Sequence, residues 1–447
     1  MQKRTRLLAK DRRQCAKGKV RKLPTRPKKP MVIKKSDLEA INKYLNVLYI
    51  CKKNRPIVME KIFTNTQTAF ALKSDSELER AYFLFKMIES QPLVRIGTAV
   101  TNFAIKAHLP VEGLIRSTVF DHFCGGVNEN DCLHVVDKMF TKGVSAVLDY
   151  SVEGKEEEEQ FEAAFLMTLK TIEFAKERLA IPFAVFKPTG LGRFELYQKI
   201  GEKTPLTTAE QQEWDRVVAR FDRLCQAAYD QDVAVLIDGE ESWMQDAADE
   251  LVAQMMAKYN KNKALIFNTL QLYRWDRLDY LKKLHARAVE ENFYIGMKLV
   301  RGAYMEKENN RAKENGYTSP ICVSKKATDD NFDATVQYML THLDRMAIFA
   351  GTHNEESSYK LMQLMQDHQI ATNDSRIWFG QLYGMSDNIS YNLAAHGYNV
   401  AKYLPFGPVR DVMPYLIRRA EENTSVAGQT SRELSLIKAE KVRRKLN

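Results

Sequence analysis

Two textures of hydrophobic spacing succeed one another along the 447 residues. From Asp75 to about Met139, apolar residues recur three and four apart, through Ala81, Phe83, Leu84 and Met87 and again through Ile105, Leu114 and Val119; this spacing predicts amphipathic helices. Beyond that point short, β-rich apolar runs alternate with longer segments of helical period. The runs are Val144–Tyr150, Phe183–Lys187, Val233–Asp238, Leu265–Asn268, Ile295–Val300, Ala347–Thr352, Arg376–Gly380 and Val400–Leu404. Between them lie Glu156–Arg178, Ala209–Tyr229, Trp243–Tyr259, Leu278–Glu291, Asp330–Arg345 and Glu356–His368. Eight strands each followed by a helix is the arithmetic of a closed (βα)8 barrel of the α/β class, and near-continuous apolar runs suit strands buried on both faces. A doubly wound open sheet is the rival architecture.

In such a barrel the chemistry sits at the C-terminal ends of the strands. Those ends are polar here: Asp149, Lys187, Asp238, Gln271, Lys298 with Arg301, His353 with Asn354, Gln381, and Lys402 with Tyr403. One polar strand end is ordinarily a solvated one; eight in register point to a site.

Composition adds a boundary. Residues 1–35 hold 15 Lys and Arg against one acid, Asp11, a net +14, while the whole chain carries +10, so the remainder is mildly acidic. The basic block is broken by Pro24, Pro27 and Pro30, a composition that predicts a disordered extension over residues 1–58, ahead of a helical segment over 59–142 and a barrel over 143–447. An organelle-targeting peptide or a patch for anionic lipid or nucleic acid is the functional alternative for the extension; with the charge confined there, no nucleic-acid partner is expected of the barrel. No apolar run is long enough to span a bilayer, and no secretory signal is read. Six scattered cysteines form no C-x-x-C pair, and no second histidine stands at ligand spacing from His353, so no metal is expected. Asp121-His122-Phe123-Cys124 is read as a loop packed on the barrel and assigned no role.

The sharpest local signal is the segment Asp411 to Asn423. Tyr415, Arg418, Arg419 and Glu422 fall at i, i+3, i+4 and i+7 and share one helical face. In water that face is a charge network worth little; over a barrel mouth, its paired guanidiniums form a fork for a small carboxylate. Residue pattern alone leaves both open. A second signal is Met297-Lys-Leu-Val-Arg-Gly-Ala-Tyr-Met305, where small residues after a strand let a flat or phosphorylated ligand approach the backbone beside Lys298 and Arg301. No Rossmann glycine motif or P-loop is present. A Schiff-base aldolase using Lys187 or Lys298 is the competing reading of these lysines; a scaffold that binds through its basic tail is a further one.

At these residues the chain resembles the proline dehydrogenase (proline oxidase) family, in the monofunctional form closest to the mitochondrial-type enzymes. The resemblance rests on Gly143-Val-Ser-Ala-Val-Leu-Asp-Tyr150, Lys298-Leu-Val-Arg-Gly-Ala-Tyr304, Thr352-His-Asn354, Phe379-Gly-Gln-Leu-Tyr-Gly-Met385, Lys402-Tyr-Leu-Pro-Phe-Gly-Pro408 and the block Pro414 to Asn423. It implies a TIM-type barrel with the last helix over its mouth and a flavoprotein of proline catabolism. The enzyme would oxidise L-proline to 1-pyrroline-5-carboxylate with FAD and pass electrons to a quinone at the membrane surface. Its expected place is the cytoplasm, at the inner face of the membrane, or the mitochondrial matrix side in a eukaryotic host. Carried over residue by residue, Lys187, Arg418 and Arg419 would hold the proline carboxylate, Tyr403 and Tyr415 would wall the ring, Glu422 would support the helix, and Asp238 would pair with a cation. Gln271 would meet the flavin pyrimidine edge and Lys298 its N5, with Val300, Arg301, Gly302, Ala303, Tyr304, Thr352, His353, Asn354, Gln381 and Lys402 around the remainder. One branch of the family has arginine where this chain has Lys298, and a lysine cannot fork.

Overall fold

The computed structural model of the protein describes residues 61–89, 92, 112–151, 156–425 and 429–446; the extension expected over residues 1–58 lies outside them. Eight parallel strands close on themselves in sequence order: β1 (Val144–Tyr150), β2 (Phe183–Phe186), β3 (Ala234–Ile237), β4 (Ile266–Gln271), β5 (Ile295–Val300), β6 (Met346–Gly351), β7 (Ile377–Leu382) and β8 (Val400–Phe406). The seam joins β1 to β8 in continuous register from Val144 opposite Val400 to Tyr150 opposite Phe406. All eight predicted runs become strands. β4, β7 and β8 run beyond their predicted ends, to Gln271, Leu382 and Phe406; in β4 and β7 the first residues added, Thr269 and Gln381, are polar and break the apolar run that marks a buried strand.

The helices are α1 (Asp75–Ile88), α2 (Glu129–Phe140), α3 (Glu158–Ala175), α4 (Phe194–Gly201), α5 (Thr208–Gln231), α6 (Ser242–Tyr259), α7 (Arg277–Glu290), α8 (Met305–Asn315), α9 (Lys325–Thr341), α10 (Glu355–Asp367), α11 (Asp387–Ala395), α12 (Val409–Ser425) and α13 (Gln429–Arg444). Their starts follow local chemistry. Ser74 and Glu77 form a capping box at α1, Thr207 and Glu210 another at α5, and the side chain of Asn354 caps α10. Spacing alone misses α4, α8, α11 and α13. Of these α8 is polar nearly all round, and α11 is buried along most of its length, so neither shows an apolar stripe.

The floor of the barrel is dry. Val147, Phe183, Val185, Leu236, Phe267, Phe349 and Ala401 converge there, and Phe183 meets Phe267, Phe349 and Trp378 edge-on at centroid separations of 5.8, 5.2 and 5.2 Å. Two further clusters attach the outer elements. Phe70, Leu78, Ala81 and Phe85 from the first part of the fold pack on Leu434, Leu436 and Ile437 of α13. Phe120, Phe123 and Met385 pack under Val412, Met413 and Leu416 of α12. Asp121–Phe123 is a helical turn and not the expected loop. His122 within it is enclosed, its Nε2 3.0 Å from the Gly384 carbonyl; burial, aided by Lys73, holds its imidazole down at about 3.

Candidate active site

Strand side chains alternate between faces, so the barrel interior is written on every second residue. Two residues beyond the apolar floor the same faces turn polar: Val147 is followed by Asp149, Val185 by Lys187, Leu236 by Asp238, Phe267 by Thr269 and Ala401 by Tyr403. These second-tier residues line a cavity of about 680 Å3 at the C-terminal ends of the strands. Of the polar strand-end residues read from the sequence, all but Lys402 line this cavity.

At the base of the cavity lies a four-membered charge cluster. Lys298 Nζ donates to the Asp238 carboxylate and, at 3.0 Å, to the Tyr403 hydroxyl. Lys187 Nζ stands 3.5 Å from Asp238 Oδ2 and 3.7 Å from Asp149 Oδ1. Burial pushes the Asp238 carboxyl up, but the Lys298 and Lys187 ammoniums outweigh it and hold it below the usual carboxylate range. Burial raises the Tyr403 phenol well above its ordinary value, with the Asp238 charge adding to it, so Tyr403 stays a neutral wall. Asp149 is tied in turn to Ser151, whose hydroxyl donates to Oδ2 at 2.7 Å.

Higher in the cavity, several side chains spend their polar atoms on the scaffold. Arg301 donates to Asp329 Oδ1 at 2.8 and 2.6 Å, to Thr352 Oγ1 at 2.9 Å and to Ser357 Oγ at 3.0 Å. Gln381 donates to the Thr352 carbonyl at 3.1 Å and accepts from Ser390 Oγ at 2.8 Å. Both therefore shape the wall around Thr352. Asn354 is likewise engaged by its own helix, accepting the Ser357 amide at 3.0 Å. Gln271, 3% exposed, keeps one long contact from its amide to Gly239 O at 3.5 Å. Val300, Gly302, Ala303, Tyr304 and His353 complete this part of the lining. Gly302 sits at φ +127°, and a β-carbon there would fall 1.4 Å from Tyr273 Cε1. Glycine is required at 302 on two counts, conformation and the Tyr273 ring packed against it.

Lys402 is placed elsewhere. Its neighbours in β8, Ala401 and Tyr403, face the barrel interior, so alternation turns Lys402 outward; it is fully buried, paired with Asp387 at 2.8 Å, and outside the cavity lining. The expected flavin contact at Lys402 is therefore corrected. Tyr415, 5% exposed, does reach the cavity and shows that α12 covers it. The side chains of Arg418, Arg419 and Glu422 lie outside the described residues, although the α12 backbone runs on to Ser425. Sequence reading missed the Leu382–Ser386 loop and the pair Arg432 and Glu433 of α13, all of which meet the cavity. Arg432 is tied to Glu355 at 2.8 Å, and Glu433 accepts the Ser386 amide at 2.5 Å. No spacing within α13 flags either residue, since they act on loops far away in sequence.

A second cavity of about 460 Å3 adjoins the first across Asp149, Lys187 and Tyr304. In its wall Glu240 accepts the Thr189 amide at 3.0 Å and hydroxyl at 2.6 Å, yet burial pushes its carboxyl up to about 7. Among the described residues no group of three or more His, Cys, Asp or Glu side chains could hold a metal ion, and no helix is long and apolar enough to cross a membrane.

A closed parallel barrel whose mouth carries lysines, carboxylates and tyrosines over a dry floor is the architecture of a small-molecule enzyme. The profile of the family described as proline dehydrogenase matches residues 132–432, and the chain belongs to that family of oxidoreductases. It is 38% identical over 351 residues to the carbapenem antibiotics biosynthesis protein CarD of Pectobacterium carotovorum subsp. carotovorum, a match covering 78% of this chain and 91% of that one. It is 38% identical over 251 residues to human proline dehydrogenase 1, mitochondrial, covering 55% of this chain and 42% of that one. The crystal structure of proline utilization A from Bdellovibrio bacteriovorus superposes with a TM-score of 0.63 at 18% identity, over 87% of this chain and 41% of that one, a likeness of fold.

Proposed function

We propose that this protein oxidises L-proline to 1-pyrroline-5-carboxylate with FAD as cofactor and passes the electrons to a quinone at a membrane surface, the first step from proline toward glutamate. The observation that carries the reading is the cluster of Lys187, Lys298, Asp238 and Tyr403 at the base of a cavity closed by Tyr415. Lys187 offers a cation to a substrate carboxylate. Arg418 and Arg419, one turn of α12 beyond Tyr415, are the residues proposed to complete the clamp, and Glu422, a further turn on, to support it. Tyr403 and Tyr415 present apolar ring faces suited to a pyrrolidine and keep bulk water from it.

The walls fit a flavin. A volume of about 680 Å3 is in the range of cofactor pockets. Donors stand at Gln271 and Lys298, and the thin Gly302–Ala303 wall lets a flat ring approach the backbone. His353 and Tyr304 would flank the remainder. When bound, the flavin supplies acceptance of a hydride from the ring carbon beside the proline nitrogen. The chain's own task is alignment. Asp238, bonded by two lysines and held ionised, is a poor proton acceptor, so it acts as a fixed charge that sets the two ammoniums and the amine proton leaves by another route. The CarD relative, named for carbapenem biosynthesis, supports a second reading of context alone: the same oxidation serving a biosynthetic route.

The test combines product and saturation. Mass spectrometry should find a product two hydrogens poorer than proline, and Arg418→Met or Arg419→Met should raise the proline concentration needed for half-saturation about tenfold or more while flavin stays bound. Unchanged saturation in both variants removes the clamp from the account. Trapping of a carbonyl substrate on Lys187 or Lys298 by borohydride would instead support an aldolase.

A further inference from the structure

The loop joining β7 to α11 is held in an unusual shape. Gly384 at φ +80° and Ser386 at φ 52° both lie in the left-handed region, and Ser386 is not a glycine, so its neighbours must hold it there. Lys402 does much of this from the outer face of β8. Its ammonium, fully buried, donates to the Met385 carbonyl at 2.7 Å and the Leu382 carbonyl at 3.4 Å and pairs with Asp387 Oδ1 at 2.8 Å. The other Asp387 oxygen meets Lys73 at 3.3 Å. From the opposite side Glu433 of α13 accepts the Ser386 amide. The loop so fixed delivers Ser386 Oγ to His353 Nδ1 at 2.8 Å, and His353 lines the cavity.

We propose that Lys402 is a positioning residue for the site. Through the Leu382–Asp387 loop it places the Ser386 hydroxyl that fixes the ring orientation of His353 at the cavity wall. An ammonium buried this deeply is costly unless paired and hydrogen-bonded, and the bonds it makes here all run to that one loop. An apolar side chain would fill the space but could not gather two carbonyls and a carboxylate around a left-handed serine. A histidine bound at one ring nitrogen has the aim of its other edge decided for it. Sequence reading placed Lys402 on the cofactor directly; the structure moves its action one loop back. That His353 then touches the flavin rests on the function proposed above; the ordering of the ring does not.

The test reads the ring itself. In full-length protein labelled at its eight histidines with nitrogen-15, the His353 signal is assigned by its loss in His353→Gln. The wild-type ring should show ring-nitrogen signals displaced at Nδ1 by its hydrogen bond. Ser386→Ala and Lys402→Met should each shift the Nδ1 signal, and each should weaken FAD binding by about tenfold. If Lys402→Met does not fold, Lys402→Gln, which keeps a polar side chain but removes the ammonium, carries the same expectation. A His353 signal unmoved in a folded Lys402→Met or Lys402→Gln protein overturns the proposal, as does a shift there that Ser386→Ala fails to reproduce. Because the ring signal needs no cofactor, a response in a protein that binds no FAD would keep the loop mechanism and sink the flavin reading.

Discussion

The barrel contains two interiors one step apart. Along β3 the inward face reads Leu236 and then Asp238; along β1, Val147 and then Asp149; along β2, Val185 and then Lys187. The lower tier is apolar, closed and held by edge-on aromatic contacts. The upper tier is charged, and each charge is paired with an opposite one on an adjacent or nearby strand end. The same strands and the same face therefore serve stability at one level and chemistry two residues on. A buried charge cluster stabilises little once its desolvation is counted, so stability alone does not account for the upper tier.

The contrast can be broken most sharply at Asp238. Replacing it by Leu leaves two lysines facing each other, and activity should fall by about three orders of magnitude, or about 4 kcal/mol of transition-state binding, with a stability loss of about 3 kcal/mol by chemical denaturation. Replacing Lys298 by Met in the same protein should recover the lost stability and none of the activity. A double variant as unstable as the single one would mean that the upper tier holds the fold. The next effect belongs to the floor: Leu236→Ala, two residues below Asp238, should cost about 3 kcal/mol in denaturation while turnover per folded molecule changes little. Gly302→Ala comes third, at about 2 kcal/mol from left-handed strain and the Tyr273 contact, with loss of flavin on gel filtration as the accompanying sign.

The smallest effect separates wall from site. His122, outside the cavity, has its folded-state pKa depressed to about 3 from an ordinary 6.5, so the unfolded chain takes up the proton first. Its contribution to stability is complete above about 6.5 and is lost as pH falls toward about 3. His122→Gln should flatten the decline of the melting temperature over that interval; an unchanged decline would place the acid sensitivity elsewhere, with Asp387, depressed to about 2, the next group to examine.

The eight strands were legible because a parallel strand buried on both faces writes a near-continuous apolar run, and their polar ends marked the mouth. The same double burial hides parity. In Val400–Phe406 nothing in the text distinguishes Lys402, which faces α11 and its loop, from Tyr403, which faces the cavity. Charge on an outward face is read as readily for a ligand contact as charge on an inward one, until the register of the neighbouring strand is known. Arg432 and Glu433 were illegible for another reason: they reach the site through Glu355 and Ser386, partners 77 and 47 residues away in sequence. The Lys298 strand and its Gly302 turn, by contrast, were read locally, from a basic residue at a strand end followed by small residues, and both line the cavity.

The central claim, that the charged tier aligns proline for oxidation by a flavin, is met most directly by an absorption spectrum of the purified protein reconstituted with FAD, recorded before and after anaerobic addition of L-proline. Flavin bands that bleach with proline and stay unbleached in the Asp238→Leu/Lys298→Met protein are the expected result. Bands that proline leaves unchanged in the wild-type protein, or a protein that retains no flavin at all, would contradict the account.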